Sequence, residues 1–263
     1  MSPENVFLSP GGTDPPGEGV DIPMTAQPVA TINGSTRDVP VPRPAPFGRR
    51  TAVVALTVGA TLNLAEALIG RIVGQSDSVE ASLAAWSARP TIAVAGLVLG
   101  TRAVPFLLLG LVAMAQLIRP RMPRLGTSAM VLAYAGALGF LGLHAASFVE
   151  AAVLDHPDRA AIVALIEAAH SSPLGLLILV PFLLGMFGSI LLTSIGYLRT
   201  RVVPVWIPVV LLVFVVLDFG QFPTGPVDPH WLFVAASFGI AALIAKRTDR
   251  QWWTGRTSDE ATS

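Results

Sequence analysis

Six stretches of this 263-residue chain are long, apolar and almost free of charge, and that pattern admits few folds. They fall at residues 52–72, 91–118, 127–153, 174–198, 202–222 and 231–245. Crossing a bilayer as a helix takes about 20 such residues. The last stretch is short and is expected to begin within the loop before it. In hydrocarbon every backbone N–H and C=O must be satisfied within the segment, so each stretch is expected to be an α-helix. No run alternates apolar and polar residues with a period of two, as a transmembrane barrel would require. The expected fold class is therefore all-α: a polytopic membrane protein of six transmembrane helices. Composition agrees, with 13% charged residues against about 25% in soluble domains, and a mean hydropathy of +0.65.

The chain divides into three regions by composition. Residues 1–48 are rich in Pro, Gly, Ser and Thr and cannot bury enough apolar area to offset their ordering entropy, so a disordered cytoplasmic tail is expected there. Residues 49–247 hold the six-helix bundle, and 248–263 form a short cytoplasmic C-terminal tail. The pair Arg49-Arg50 reads as a positive-inside anchor and not as a twin-arginine export signal, because further spans follow. Net charge is zero, which gives no basic field for nucleic acid. The absence of cysteine removes disulfides, thiolate catalysis and cysteine-ligated metals. Lys246 is the one lysine among 17 basic residues, a usage typical of GC-rich bacterial genomes.

Orientation follows from the arginines. One set of connections carries Arg49, Arg50, Arg119, Arg121, Arg124, Arg199, Arg201, Lys246, Arg247 and Arg250; the other carries Arg71, Arg89 and Arg159 among several carboxylates. The positive-inside rule makes the first set cytoplasmic and both termini cytoplasmic, in a multi-pass protein of the plasma membrane. Two outer loops carry short amphipathic helices. In the first, Asp77 and Ser78 are cap candidates and Val79, Leu83 and Trp86 share a face; in the second, Ile162, Leu165 and Ile166 do. Each is followed by a proline-led span ending in Arg-x-Arg, so the hairpin unit reads either as a parallel repeat or as features common to membrane hairpins.

Ionisable residues within spans are costly, about 2.5–3.5 kcal/mol each at the bilayer centre. This chain has several, with polar neighbours: Glu66 with Asn63 in the first span, Arg102 in the second, His144 and Glu150 with Ser147 in the third, and Asp218 with Gln221 in the fifth. The candidate ligand or proton site is Asn63, Glu66, Arg102, His144 and Asp218, with Arg102 expected to pair with Glu66 or Asp218. Two readings stand side by side: a polar cavity open to the outer side that binds a ligand or passes protons, and a buried ion pair that fixes helix packing.

Nucleotide-binding, nucleophile-elbow and zinc-protease motifs are all absent, so no cofactor is expected. The four histidines lie toward the outer side without tight ligand spacing, and no metal site is assigned. Gly96-x-x-x-Gly100 marks either a dimer face or an internal contact.

The stretch 178–206, with Tyr197-Leu198-Arg199 and then Val203-Pro204-Val205-Trp206, resembles a group of uncharacterised bacterial six-span integral membrane proteins that share a domain of unknown function. There a basic loop is followed by Val-Pro-Arg-Trp; here Val205 stands at the arginine. The resemblance implies a membrane location and a six-helix bundle, and carries no catalytic residue. The leading functional expectation is a small transporter or ligand-binding protein whose partners are the bilayer and a small-molecule or lipid ligand. The alternatives are an intramembrane acid–base enzyme using Glu66 and Asp218 on a lipid or isoprenoid, and a non-catalytic accessory protein whose tails, including Trp252-Trp253, contact cytoplasmic partners.

Overall fold

The computed structural model describes residues 45–74, 78–154, 156–220 and 227–254. Among them the protein is all-α, with no strand. Four helices are long and apolar enough to cross a membrane: α1 (Arg49–Val73), α3 (Pro90–Ile118), α4 (Pro123–Ala152) and α6 (Gly175–Thr200 of the helix Pro173–Thr200). Two further apolar helices are shorter, α7 (Trp206–Phe219) and α8 (His230–Ala245). The short helices α2 (Val79–Ala88) and α5 (Arg159–His170) connect α1 to α3 and α4 to α6, and α9 (Asp249–Thr254) follows α8. The order long–short–long therefore occurs twice.

Chain punctuation explains the ends. Prolines open α3, α4 and α6, where a missing N–H costs nothing. The Oγ of Ser78 accepts from the Ala81 N–H and caps α2, while Asp77, the other expected cap, lies outside the described residues. Helix α7 starts at Trp206 and not at 202, because Arg201 takes a left-handed φ of 52° and Pro204 follows. Gln221, like residues 1–44 and Asp155, is outside the described residues.

The six apolar helices close into a ring in the order α1, α3, α4, α6, α7, α8, with α3 and α6 touching across its centre. Glycines set two of these seams. A Cβ on Gly136 would come 2.6 Å from the Met186 backbone nitrogen, so α4 and α6 pack backbone to backbone. Gly96 and Gly100 face Ile69 and Glu66 of α1, which makes that motif an internal contact. At the basic end the centre is solid. Every residue of α3 from Gly110 to Ile118 is buried, and the Tyr197 hydroxyl of α6 donates to the Met114 carbonyl at 2.9 Å. Large apolar side chains such as Leu138, Leu177 and Leu184 point outward instead, as they do where hydrocarbon is the solvent.

Helix α1 is clamped to α8 at both ends. At the basic end Arg49 donates to Asp249 and to the carbonyls of Ala245 and Arg247, capping α8. Trp252, fully buried, donates its indole N–H to the Phe47 carbonyl at 2.7 Å. Residues 249–254 of the expected C-terminal tail are thus a docked helix, and Trp252 is a packing residue. Burial and the nearby Arg121 hold the Arg247 guanidinium below its usual pKa, against the opposing influence of Tyr197. Basic residues from three different connections therefore share one end of the ring.

The short helices cover the opposite end. Leu83 of α2 is fully buried, as the amphipathic pattern predicts. In α5 the buried residue is Val163, while Leu165 is 68% exposed, so the expected face is rotated. Arg159 donates to Ser87 and joins α5 to α2. Arg89 donates to the Ile72 carbonyl at the end of α1.

Candidate functional site

The first constellation is a carboxylate–imidazole pair carried by α1 and α4. His144, 4% exposed, stands 2.8 Å from Glu66 through Nε2, and its Nδ1 is 2.9 Å from the Phe140 carbonyl one turn earlier. A carbonyl only accepts, so Nδ1 carries a proton and donates. A second proton then lies between Nε2 and the Glu66 carboxyl, giving either an ion pair or a neutral pair. The Glu66 carboxyl rests on Gly100 of α3, in space that any Cβ there would fill. Helix α3 thus supplies the room, α1 the acid and α4 the imidazole.

This pair is not sealed in the core. It lines a pocket of about 170 Å³ between α1, α3 and α4, with Trp86 of α2 at its rim. The remaining walls are mainly apolar, among them Ile69, Leu97, Phe140 and Leu143, with the Ser147 hydroxyl near the same level. A small ligand with an apolar body and one polar group fits such a lining.

A second cavity of about 70 Å³ lies on the other side of Phe140, which borders both. Helices α1, α3, α4, α6, α7 and α8 all contribute to it. Its polar residues are Asn63, Asp218 and His230; five phenylalanines make up much of the rest. The ring of Phe140 stacks on Phe182 at 5.1 Å and meets His144 edge-on at 4.5 Å.

At the end of this cavity Asp228 organises a charged knot. Arg71 of α1 meets it at 2.6 Å, and His230 donates to it twice, from the backbone N–H at 2.9 Å and from Nδ1 at 2.8 Å. Asp228 is 3% exposed. Burial works to raise its pKa, but the two His230 hydrogen bonds and the charges of His230 and Arg71 prevail and bring it down to about 2. Asp218 stands 3.7 Å from the same His230 nitrogen, beyond hydrogen-bond reach. A further pair, Glu150 and His170 at 3.6 Å, joins the end of α4 to α5.

Of the five site residues expected from sequence, the structure distributes four over two adjoining cavities: Glu66 and His144 in one, Asn63 and Asp218 in the other. Arg102 does not join them. It is exposed on the outer face of α3, and the partner of Glu66 is His144, not arginine. His230, Asp228, Arg71 and Phe140 enter the site without having been singled out for it. The Asp228-Pro229-His230 start of α8 was the one visible signal, since an acid just ahead of a helix accepts its free N–H groups. Among the described residues no group of three His, Asp or Glu side chains could hold a metal ion. No protein-family model matches this chain, no curated protein resembles it detectably, and no solved structure matches it.

Proposed function

We propose that this protein is a small ligand-binding membrane protein of the transporter kind, which takes a small molecule from the extracytoplasmic side into the Glu66–His144 pocket. The reading includes six spans, both termini in the cytoplasm, and the plasma membrane as location. Helices α7 and α8 are only about 21 and 24 Å long at 1.5 Å per residue, short of a ~30 Å hydrocarbon core. Their apolar composition and their places in the ring support taking them as the fifth and sixth spans. The clustering of Arg49, Arg121 and Arg247 at one end supports the orientation.

One observation carries the functional reading: an acid–imidazole pair drawn from two spans lines a pocket instead of being packed away. A purely structural pair in a membrane core would be expected in the sealed part of the bundle, where α3 and α6 meet. The proton held between Glu66 and His144 gives the pocket a group that a ligand can displace or share, the usual role of ionisable residues inside membranes. An acid–base enzyme using Glu66 and Asp218 together has no comparable support, because the two carboxylates line different cavities.

Mass spectrometry of small molecules that co-purify with the full-length protein tests this. The wild type should carry a species that Glu66→Gln loses while its thermal unfolding stays cooperative. If both carry the same species, or if the variant only unfolds earlier and neither carries one, the pair is structural and the reading fails.

A further inference from the structure

We propose that the cavity between Asn63 and Asp218 is a binding site for a small organic cation, of the quaternary or tertiary ammonium class. This site lies beyond Phe140 from the Glu66–His144 pocket, and its assignment does not depend on that pocket's role. Five phenylalanines line it: Phe140, Phe182, Phe214, Phe219 and Phe233. They form two connected groups, Phe140 on Phe182 at 5.1 Å and Phe182 on Phe219 at 6.4 Å, with Phe214 on Phe233 at 5.2 Å. Aromatic faces carry negative charge density, and several around one space favour a weakly hydrated cation. The chain has 12 phenylalanines, and nearly half of them border this single cavity.

The polar groups point the same way. The Asp218 carboxylate is 28% exposed and accepts no hydrogen bond among the described residues. The other acid and base at this end are already matched: Arg71 with Asp228, and the His230 Nδ1 proton with Asp228. Asp218 is therefore the carboxylate of the knot whose charge is least compensated. The Asn63 amide likewise has no hydrogen-bond partner among the described residues, and it faces the same cavity. A carboxyl group beside an open space walled by aromatic rings favours a positively charged ligand over an anion. A hydrated sodium ion gains little here, since the rings offer no oxygen ligands.

The test is a titration of the full-length protein with choline and with its neutral isostere 3,3-dimethyl-1-butanol, at constant ionic strength in phosphatidylglycerol nanodiscs. Choline should bind and raise the unfolding temperature; the isostere should not. Asp218→Asn should abolish choline binding. Phe214→Leu should weaken it roughly threefold to thirtyfold, the range of one cation–π contact. Glu66→Gln should leave it unchanged. Equal binding of the isostere, no choline effect beyond that of sodium chloride, or binding that follows Glu66 and not Asp218 would each overturn the assignment. If Asp218→Asn does not fold, the isostere comparison on wild type and the Phe214→Leu titration decide alone. Repeating the titration with phosphatidylcholine in the disc identifies the source: competition means the lipid head group occupies the site, and unchanged binding means a free cation does.

Discussion

Replacing Asp228 by asparagine should destabilise the protein by about 2 kcal/mol at pH 7, and the loss should vanish in acid. The substitution keeps the shape and leaves an oxygen to accept from the His230 backbone, so it reports the charge. In the folded protein the Asp228 carboxyl is held at about 2; unfolded, an aspartate lies near 3.9, and each pKa unit is worth about 1.36 kcal/mol. The full difference is about 2.6 kcal/mol. Arg71 is 40% exposed, so solvent screens part of its attraction and about 2 kcal/mol is the appropriate figure. Because the folded-state pKa is the lower one, the contribution is complete above about pH 4 and is lost as pH falls toward 2. Thermal unfolding of wild type and Asp228→Asn in detergent, from pH 7 to pH 2, measures this directly. The variant should melt several degrees lower at pH 7, at roughly 2–4 °C per kcal/mol for a chain of this size. The gap should fall to about half near pH 3 and nearly close by pH 2. Other carboxylates titrate in the same window, but they cancel in the difference. Parallel curves, or equal stability at pH 7, would show that Arg71 and His230 do not stabilise the carboxylate and that the knot between α1 and α8 is incidental.

Two further outcomes follow from the arrangement. Arg102 lies on the outward face of α3, so Arg102→Leu in nanodiscs should be neutral or stabilising, by up to about 2.5–3.5 kcal/mol if the arginine sits at the bilayer centre; marked destabilisation would reveal an inward partner. The chain has no cysteine, so single cysteines introduced at Glu80 and at Arg250 report topology cleanly. A membrane-impermeant maleimide applied to intact cells should label the first and not the second, and the reverse pattern would invert the orientation.

The four long apolar helices, the proline starts of α3, α4 and α6 and the cap at Ser78 were legible because each rests on local chemistry: hydrophobic length, a missing N–H, a hydroxyl near free amides. Which way a helix faces was less so. The expectation for Arg102 came from a minimal-cost argument that any buried arginine should find a carboxylate. The glycines contained the answer. Gly96 and Gly100 turn their side of α3 toward α1, and at about 100° per residue Arg102 lies some 200° round from Gly100, away from Glu66. For α5 the difficulty was different. Residues 160–166 are apolar all round, so periodicity could not choose between Val163 and Leu165. The aromatic cavity was invisible for a third reason. Its phenylalanines come from α4, α6, α7 and α8, and no spacing within one helix brings them together.

The distribution of packing also separates binding from transport. The first cavity reaches Trp86 of α2 and the second extends as far as Leu111 of α3 and Ile190 of α6; beyond them residues 112–118 of α3 are buried without interruption, with Met114 and Ile118 meeting Tyr197 and Gly196 of α6. A ligand entering from the α2–α5 end meets a closed half at the basic end. Transport would then require α3 and α6 to part near Tyr197 and Met114; binding alone would not. A cross-link can decide. A Cβ built on Gly196 lies 3.0 Å from Cγ2 and 2.5 Å from Cδ1 of Ile118, so the two positions are in side-chain contact, as a disulfide with its Cβ atoms ~3.8 Å apart requires. The paired substitution Ile118→Cys and Gly196→Cys removes the very atoms that would clash. Once oxidised, the protein should still bind choline but should not carry it into proteoliposomes, and a reductant should restore uptake. Uptake that survives oxidation would show that the α3–α6 contact is not the inner barrier. Binding without uptake, in reduced and oxidised protein alike, would make the aromatic cavity a binding site and not part of a transport path.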